Sequence, residues 1–476
     1  MSSDDEVKKL QEKVAALEAE LKELKGRDLS PGKQRKMSAA KLETLEETGD
    51  EATQAYIKSQ FVSRELSSGS VVASKDFRRA GNAIMAANKF KASGASAPAP
   101  APVDPRNSHA VAAVVPNRFL PPKAEDSVLD EVLKIHGEIA AAKWDADTLT
   151  LCKTLKHPMA YVVSTILKTW NAAENLHVDE DTIVMMLTQL EDGYLATNPY
   201  HNATHACDVA YTVHVMLMSG VRDALQLTDL QCATCVIAAA AHDFRHPGIA
   251  ATYLIAMSDD LALTYNDKSP LESMHCAEFF KMLKKKGSHI DIFANLPKKE
   301  QQDVRKTIIG AILATDMSVH FDYLDKFIKK FPAPFGPDAA ALTAADQDFA
   351  ISMLLHCADI SNPAKPKDAY FDWTDRVLAE FYHQGDKEAE SGLPVSNFFD
   401  RSAPSVAKMQ TGFINFIVRP IFTAWCEFVP ALNEMTMPHI ESNAAIWKAE
   451  TPYIPTTQAF VDAGKKDWDW EKGAWR

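Results

Sequence analysis

Three stretches of this chain carry histidines and carboxylates at spacings that could do chemistry. Residues 198–214, NPYHNATHACDVAYTVH, hold His201, His205, Asp208 and His214 among Ala and Val, with Tyr200 just before the first. A second stretch ends in His242-Asp243 and continues as Phe244-Arg245-His246-Pro247-Gly248, and a third ends in His356-Cys357-Ala358-Asp359. Nine of the fifteen histidines fall between 201 and 356, which concentrates the titratable chemistry in one part of the chain. Imidazole nitrogens and carboxylate oxygens are the donors that zinc and related divalent ions take. An adjacent His-Asp pair at a helix end can serve one ion through both residues, with the carboxylate bridging to a second. Each motif alone has a plainer reading, a buried histidine with a hydrogen-bond partner. All three together resist that reading, because burying so many ionisable groups without an ion is costly.

The elements that must position these residues read as helices. Thr228-Asp229-Leu230-Gln231 is a capping-box start for a helix through CATCVIAAAAHDF, stopped by Pro247-Gly248. Thr343-Ala344-Ala345-Asp346 opens another through FAISMLLHCAD, stopped at Asn362-Pro363. Asn198-Pro199 begins the helix of the first stretch and Gly220 ends it. Hardly any alternating strand pattern occurs beyond residue 125, so 125–476 is expected to be an all-α, compact multi-helix domain.

At 476 residues the chain exceeds the size at which one hydrophobic core usually stops growing, so a large domain with an appendage is expected. Residues 5–26 place Val7, Leu10, Val14, Leu17, Leu21 and Leu24 on an a/d seam, with Val at the first two a positions and Leu at d. That pattern favours a parallel coiled-coil homodimer; a lone amphipathic helix is the alternative. Residues 27–124 are rich in Ser, Ala, Gly, Lys and Pro and read as a disordered linker with a Pro-Ala spacer. Within it, Arg35-Lys36-Met37-Ser38 places two basic residues before a serine, a pattern basophilic kinases use and one that also arises by chance. A net charge of −13 argues against nucleic-acid binding, and no apolar run is long enough to span a membrane. The charged N-terminus lacks a signal-peptide h-region, and seven scattered cysteines fit a reducing compartment, so a cytoplasmic location is expected. Cys232 and Cys235 form a C-x-x-C without a second pair inside an apolar run, which reads as core thiols.

Tyr200-His201-Asn202-x-x-His205-Ala206-x-Asp208-Val209, His242-Asp243-x-x-His246-Pro247-Gly248 and Leu355-His356-x-x-Asp359-Ile360-Ser361-Asn362-Pro363 resemble the catalytic domain of class I cyclic nucleotide phosphodiesterases. Order and spacing agree, and the similarity continues through Gln384-Gly385-Asp386-Lys387-Glu388 to Gln410-x-Gly412-Phe413-Ile414, over about residues 125–450. The resemblance implies an HD-type helical fold and hydrolysis of a 3′,5′-cyclic nucleotide to the 5′-monophosphate, ending a cyclic nucleotide signal. It implies two divalent ions: Zn²⁺ on His205, His242, Asp243 and Asp359, and Mg²⁺ (or Mn²⁺) shared through Asp243 and otherwise held mainly by water. A hydroxide on this pair is the implied nucleophile, and His201, held by Glu380, the implied general acid. His246, Glu272 and His275 are implied around the second ion, and Tyr200, Asn362, Val377, Gln410 and Phe413 around the nucleotide. Gln410 by itself does not choose the base, since an amide can serve adenine one way round and guanine the other. Asn362 occurs in several cAMP-preferring members and in cGMP-preferring ones too; cAMP is favoured. Asp208 and His214 read as supporting or core residues.

Two positions depart from the family pattern. Glu272-Ser273-Met274-His275 stands where Glu-Asn-His-His is usual, and Ser269-Pro270 just before it offers helix capping as a second explanation of Glu272. Arg245 stands where an acidic or small residue is commoner, and either points to solvent or alters the entrance. Two other readings share the metal residues: a phosphohydrolase acting on nucleoside triphosphates or monoesters, and a silent scaffold. The first has no reason to keep Gln410 and Phe413, the second none to keep His201 and Glu380.

Overall fold

The computed structural model describes residues 115–121, 126–331, 342–449, 468–469 and 474–475. The chain divides into two units, Met1–Pro100 and Ala101–Arg476, and every described residue belongs to the second. The expected coiled coil over 5–26, most of the 27–124 linker and the Ser38 motif lie outside the described residues.

Apart from one two-residue strand pair, the regular structure of the described residues is all helical, as the missing strand pattern implied. In chain order they form α1 (Asp126–Ala140), α2 (Thr148–Thr154), α3 (Pro158–Thr169), α4 (Ala172–Leu176), α5 (Glu180–Asp192), α6 (Ala203–Met216), α7 (Asp229–Ala241), α8 (Ala251–Ala256) and α9 (Asp260–Tyr265). There follow α10 (Pro270–Lys284), α11 (Lys298–Leu313), α12 (His320–Lys330), α13 (Ala344–Asp359), α14 (Lys367–Glu390), α15 (Val406–Gly412), α16 (Arg419–Phe428) and α17 (Ala431–Trp447). Trp468–Asp469 and Ala474–Trp475 form a two-residue antiparallel pair.

Both expected capping boxes are made: Thr228 with Gln231 at the start of α7, and Thr343 with Asp346 at the start of α13. The start of α6 differs from the sequence reading. Asn198-Pro199 does not begin it; Asn202 does, with an extended backbone and a side-chain oxygen that accepts from Thr204 N at 2.9 Å and His205 N at 3.2 Å. The Asn198 side chain is committed elsewhere, as described below. His201 therefore sits in the turn before the helix. At the other end the helical path breaks at Gly220, as the sequence implied: its φ of 113° is non-helical and kinks the chain within Leu217–Val221.

Helix α6 is buried from His205 through Met216, and α7 from Cys232 through Ala241. Helices apolar around their whole circumference can only sit at the centre of a bundle. α6 accordingly packs against α3, α7 and α13, and α11 closes over α7 and α13. The alanines of α7 let these axes approach closely. Cys232 and Cys235 are buried free thiols in this packing. A smaller apolar cluster of Ile249, Leu254, Ala262 and Leu271 lies under α8–α10, with Met274 packed against it. The methionine that departs from the family pattern thus has a packing role. Among the described residues no helix is long and apolar enough to cross a membrane.

Candidate active site

The C-terminal ends of α7 and α13 meet the first turn of α6. His242 follows the last residue of α7, and its Nδ1 donates to Ala239 O at 2.8 Å, so the neutral ring keeps its lone pair on Nε2. That nitrogen faces Asp243 Oδ2 at 3.1 Å and Asp359 Oδ1 at 3.2 Å, neither of them a donor when ionised. His205 Nε2 stands 3.0 Å from Asp359 Oδ1 and 3.6 Å from Asp243 Oδ2. Burial alone would favour neutral groups, but in the metal-free protein Asp243 and Asp359 keep His242 protonated, and its charge holds both carboxyls well below the usual carboxylate range; an ion would take the place of that proton. Four electron-rich atoms therefore converge on one point, all within 4.8 Å of one another. Donors about 2.0–2.1 Å from a tetrahedral ion lie about 3.3 Å apart, close to these separations. The residues fit a divalent ion.

Beside this cluster lies a proton-handling pair. Glu380, from the buried face of α14, accepts from Tyr200 N at 2.8 Å and His201 N at 2.7 Å through Oε1, and contacts His201 Nδ1 at 2.5 Å through Oε2. His201 Nε2 remains as the nitrogen able to reach a ligand. Burial works against a charged His201, but Glu380 outweighs it and raises the pKa to about 9. The ring stacks on His246, centroids 3.9 Å apart. His246 Nδ1 accepts from Gly248 N at 2.9 Å, which puts the proton of the neutral ring on Nε2; burial, then the His201 charge, keep it neutral. Asn198 Nδ2 ties the two loops together, donating to His201 O at 2.9 Å and His246 O at 2.8 Å. Gly248 has φ 71°, and a Cβ there would stand 2.6 Å from Asn198 Oδ1, so this crossing tolerates only glycine.

Around the far side of Asp243, His275 Nδ1 donates to Phe244 O at 2.7 Å and its Nε2 stands 3.7 Å from Asp243 Oδ1. Burial depresses the His275 pKa to about 4. Glu272 is not explained by capping. Ser269 makes no side-chain cap to α10, because its hydroxyl donates to Asp316 Oδ2 at 2.7 Å instead. One Glu272 oxygen is buried with no partner, and burial, then Asp316 and Asp243, push its pKa up to about 7. That carboxyl lies near enough to Asp243 and Asp359 to feel their charge. Arg245 turns away from the site: at φ 64° it sends its guanidinium to Glu278 Oε2, 2.5 Å away on α10, and remains largely exposed.

The residues expected to hold a nucleotide are distributed over the turn before α6 (Tyr200), the turn after α13 (Asn362), α14 (Val377), and α15 with the residue that follows it (Gln410 and Phe413). Gln410 is buried, and Tyr370 Oη donates to its Oε1 at 2.7 Å while accepting from Trp447 Nε1 at 2.7 Å. Val377 and Phe413 are partly buried, and Phe413 opens a π-helical stretch, Phe413–Val418. Tyr200 Oη donates to Asn362 Oδ1 at 2.6 Å, leaving Asn362 Nδ2 buried without a partner. Asp208 and His214 lie in the packing. His214 Nδ1 accepts from Trp170 Nε1 at 3.1 Å, and Asp208 is buried against Thr148 Oγ1 at 2.8 Å and Lys365 Nζ at 3.3 Å. Since both charges of the Asp208–Lys365 pair are buried, Lys365→Met, which strands Asp208, is expected to cost about 3–5 kcal/mol in urea unfolding.

Sequence reasoning missed Asn198, Lys365, Tyr370, Asn443 and Trp447. Asn198 was read as a helix start. The others had no local signal except that Asn443 and Trp447 stand four apart, on one face of a helix.

A helical domain that gathers a His-Asp pair, a further histidine and a further aspartate from three helix ends is an HD-type metal-binding domain. Residues 200–440 match the family model described as 3′5′-cyclic nucleotide phosphodiesterase. The chain belongs to that family, whose members are metal-dependent. It is 35% identical to a 3′,5′-cyclic-AMP phosphodiesterase 4C of Rattus norvegicus, over 66% of this chain and 59% of that one. It is 36% identical to a probable 3′,5′-cyclic-AMP phosphodiesterase of Caenorhabditis elegans, over 67% of this chain and 47% of that one. The chain thus spans about half the length of the curated relatives it matches. Among solved structures, the phosphodiesterase domain of the RhoPDE fusion protein from the choanoflagellate Salpingoeca rosetta aligns with TM-score 0.58 and 30% identity, over 64% of this chain and 94% of that one.

Proposed function

We propose that this chain hydrolyses 3′,5′-cyclic AMP to the 5′-monophosphate and so ends a cyclic nucleotide signal. The observation that carries the reading is the four-donor cluster of His205, His242, Asp243 and Asp359 standing beside the His201–Glu380 pair. Two nitrogens and two carboxylate oxygens suit Zn²⁺. Asp243 has a second oxygen for Mg²⁺ or Mn²⁺, with Glu272, His246 and His275 around it to hold that ion's waters. Divalent ions held by these residues would supply a water of lowered pKa and neutralise charge on the phosphoryl oxygens. The chain's own part is proton delivery. As the bond from phosphorus to the sugar 3′-oxygen breaks, His201 Nε2 gives its proton to that oxygen while Glu380 holds the ring in place.

Base choice is assigned to Gln410, with Val377 and Phe413 flanking the ring. Trp447 Nε1 can only donate, so the Tyr370 hydroxyl proton goes to Gln410 Oε1 and the amide is held one way round. Turning it over would leave that buried proton unpaired, at about 1–3 kcal/mol. An amide held in one sense serves one purine, and the relatives named for cyclic AMP favour adenine. Tyr370→Phe is expected to shrink the cAMP-to-cGMP ratio of kcat/KM about tenfold, since about 1.4 kcal/mol is a factor of ten.

The deciding experiment compares cAMP and cGMP hydrolysis with Mg²⁺ and then with excess chelator. Metal-dependent release of 5′-AMP supports the reading, and no turnover of either nucleotide refutes it. The same proposal takes 125–476 as the catalytic domain of a cytoplasmic protein that dimerises through 5–26. Removing residues 1 to about 120 should then lower the solution mass from that of a dimer to that of a monomer and keep activity.

A further inference from the structure

Asn362 sits at the start of a short turn, Asn362–Ala364, whose backbone is gripped on three successive carbonyls. Asn443 Nδ2 donates to Pro363 O at 3.0 Å and to Lys365 O at 2.9 Å. Trp144 Nε1 donates to the carbonyl between them, Ala364 O, at 2.7 Å. Asn443 is fully buried, and both of its amide hydrogens are used on this one turn. Its Oδ1 has no hydrogen-bond partner, so holding the turn is the only polar task visible for the side chain. Asn443 and Trp144 both lie outside the residues that match the family model, 200–440. Lys365, at the far end of the turn, is pinned by its Nζ to Thr212 Oγ1 at 2.7 Å and to Asp208 on α6.

The turn has little freedom left, and what it carries is the Asn362 side chain. Asn362 Oδ1 is taken by Tyr200 Oη, and Nδ2 is a buried donor without a partner, the state of a group waiting for an acceptor. An unpaired buried donor recognises its acceptor only if the backbone beneath it does not shift, because hydrogen bonds weaken steeply outside a narrow range of distance and angle. We propose that Asn443 is a positioning residue for nucleotide recognition, with Trp144 as its second arm: from α17 it fixes the 362–365 backbone and thereby aims Asn362. This rests on the reading of the site as one for a cyclic nucleotide, and it names a specificity element that the site residues alone do not contain.

The test is a double-mutant cycle with a second, activity-independent readout. Asn443→Ala is expected to raise KM for cAMP about tenfold, the loss of about one to two buried hydrogen bonds' worth of placement, with kcat changed less than threefold. In an Asn362→Ala background the same substitution should have no further effect on KM, because the group it positions is gone. Amide hydrogen exchange of the intact chain should show faster exchange at residues 364 and 365, whose N–H groups bond within the turn, and unchanged exchange in α6 and α13. Trp144→Phe, which keeps the ring and loses the donor, should move both readouts in the same direction by a smaller factor, and it serves if the Asn443 variant does not fold. An Asn443 effect equal in both backgrounds, or unchanged exchange at 364 and 365, overturns the proposal. The exchange arm decides even if the parent hydrolyses neither nucleotide, an outcome that would refute the cyclic-nucleotide reading separately.

Discussion

Asp243→Asn is expected to lower turnover at least a thousandfold and to strip the protein of bound divalent metal. Among the described residues Asp243 belongs both to the four-donor cluster and to a second possible ligand group with His246 and His275: one oxygen faces His205 and His242, and the other faces His275. The asparagine keeps the shape but offers one neutral oxygen, and its amide hydrogens point at positions a cation must occupy. Metal contributes several kcal/mol of charge stabilisation to such reactions, and each 1.36 kcal/mol is a factor of ten in rate. Metal content by elemental analysis and kcat under saturating Mg²⁺ should fall together. A variant that retained both ions and its rate would remove Asp243 from the site. The stability readout should be less simple. Without metal, the carboxylates and imidazoles of the cluster balance one another's charge, so the substitution unbalances the metal-free protein as well.

His201→Gln is the second large effect, expected at about 10²–10⁴ in kcat, the usual contribution of a positioned general acid. The loss should largely disappear with a phosphodiester whose leaving group departs without a proton, such as p-nitrophenolate; equal loss on both substrates would mean that His201 does something other than donate a proton. The pH profile gives an independent check. The folded pKa is raised, so the ring keeps its proton up to about pH 9, and activity that needs that proton is present below this value and lost as pH rises through it. Metal loading offsets the help His201 draws from Asp243 and Asp359, so in the loaded enzyme the alkaline limb should lie at or below pH 9. Glu380→Gln removes the main group opposing burial and should move that limb to lower pH, with kcat falling at neutral pH.

The two departures from the family pattern are resolved by packing. Met274 is seated against the apolar cluster beneath α8–α10, and Arg245 is drawn off to Glu278. Neither replaces a donor of the four-atom cluster. An exposed pair such as Arg245–Glu278 contributes at most about 1 kcal/mol, so the metal loop is held mainly by the buried bonds from Asn198 and His275.

Much of this protein was legible without coordinates because the information is local. Helices α7 and α13 begin where their capping boxes stand, since a cap satisfies backbone donors within three residues of itself. The metal-type residues declare themselves because ionisable side chains do not belong at the ends of apolar helices unless something holds them. The start of α6 was misread for a local reason as well: two asparagines competed to cap it, and the choice fell to Asn202 because Asn198 reaches across to His246, forty-eight residues away. Other features are long-range by nature. That Glu380 holds His201, which only the family resemblance implied, that Tyr370 and Trp447 hold Gln410 one way round, and that Asn443 grips the turn bearing Asn362 all depend on hydrogen bonds between residues far apart in the chain. The sequence by itself determined which residue types are present, which helices carry them and hence the class of chemistry. The tertiary structure alone decided their orientation, because a hydrogen bond is set by distance and angle between partners that only the packed helices bring together.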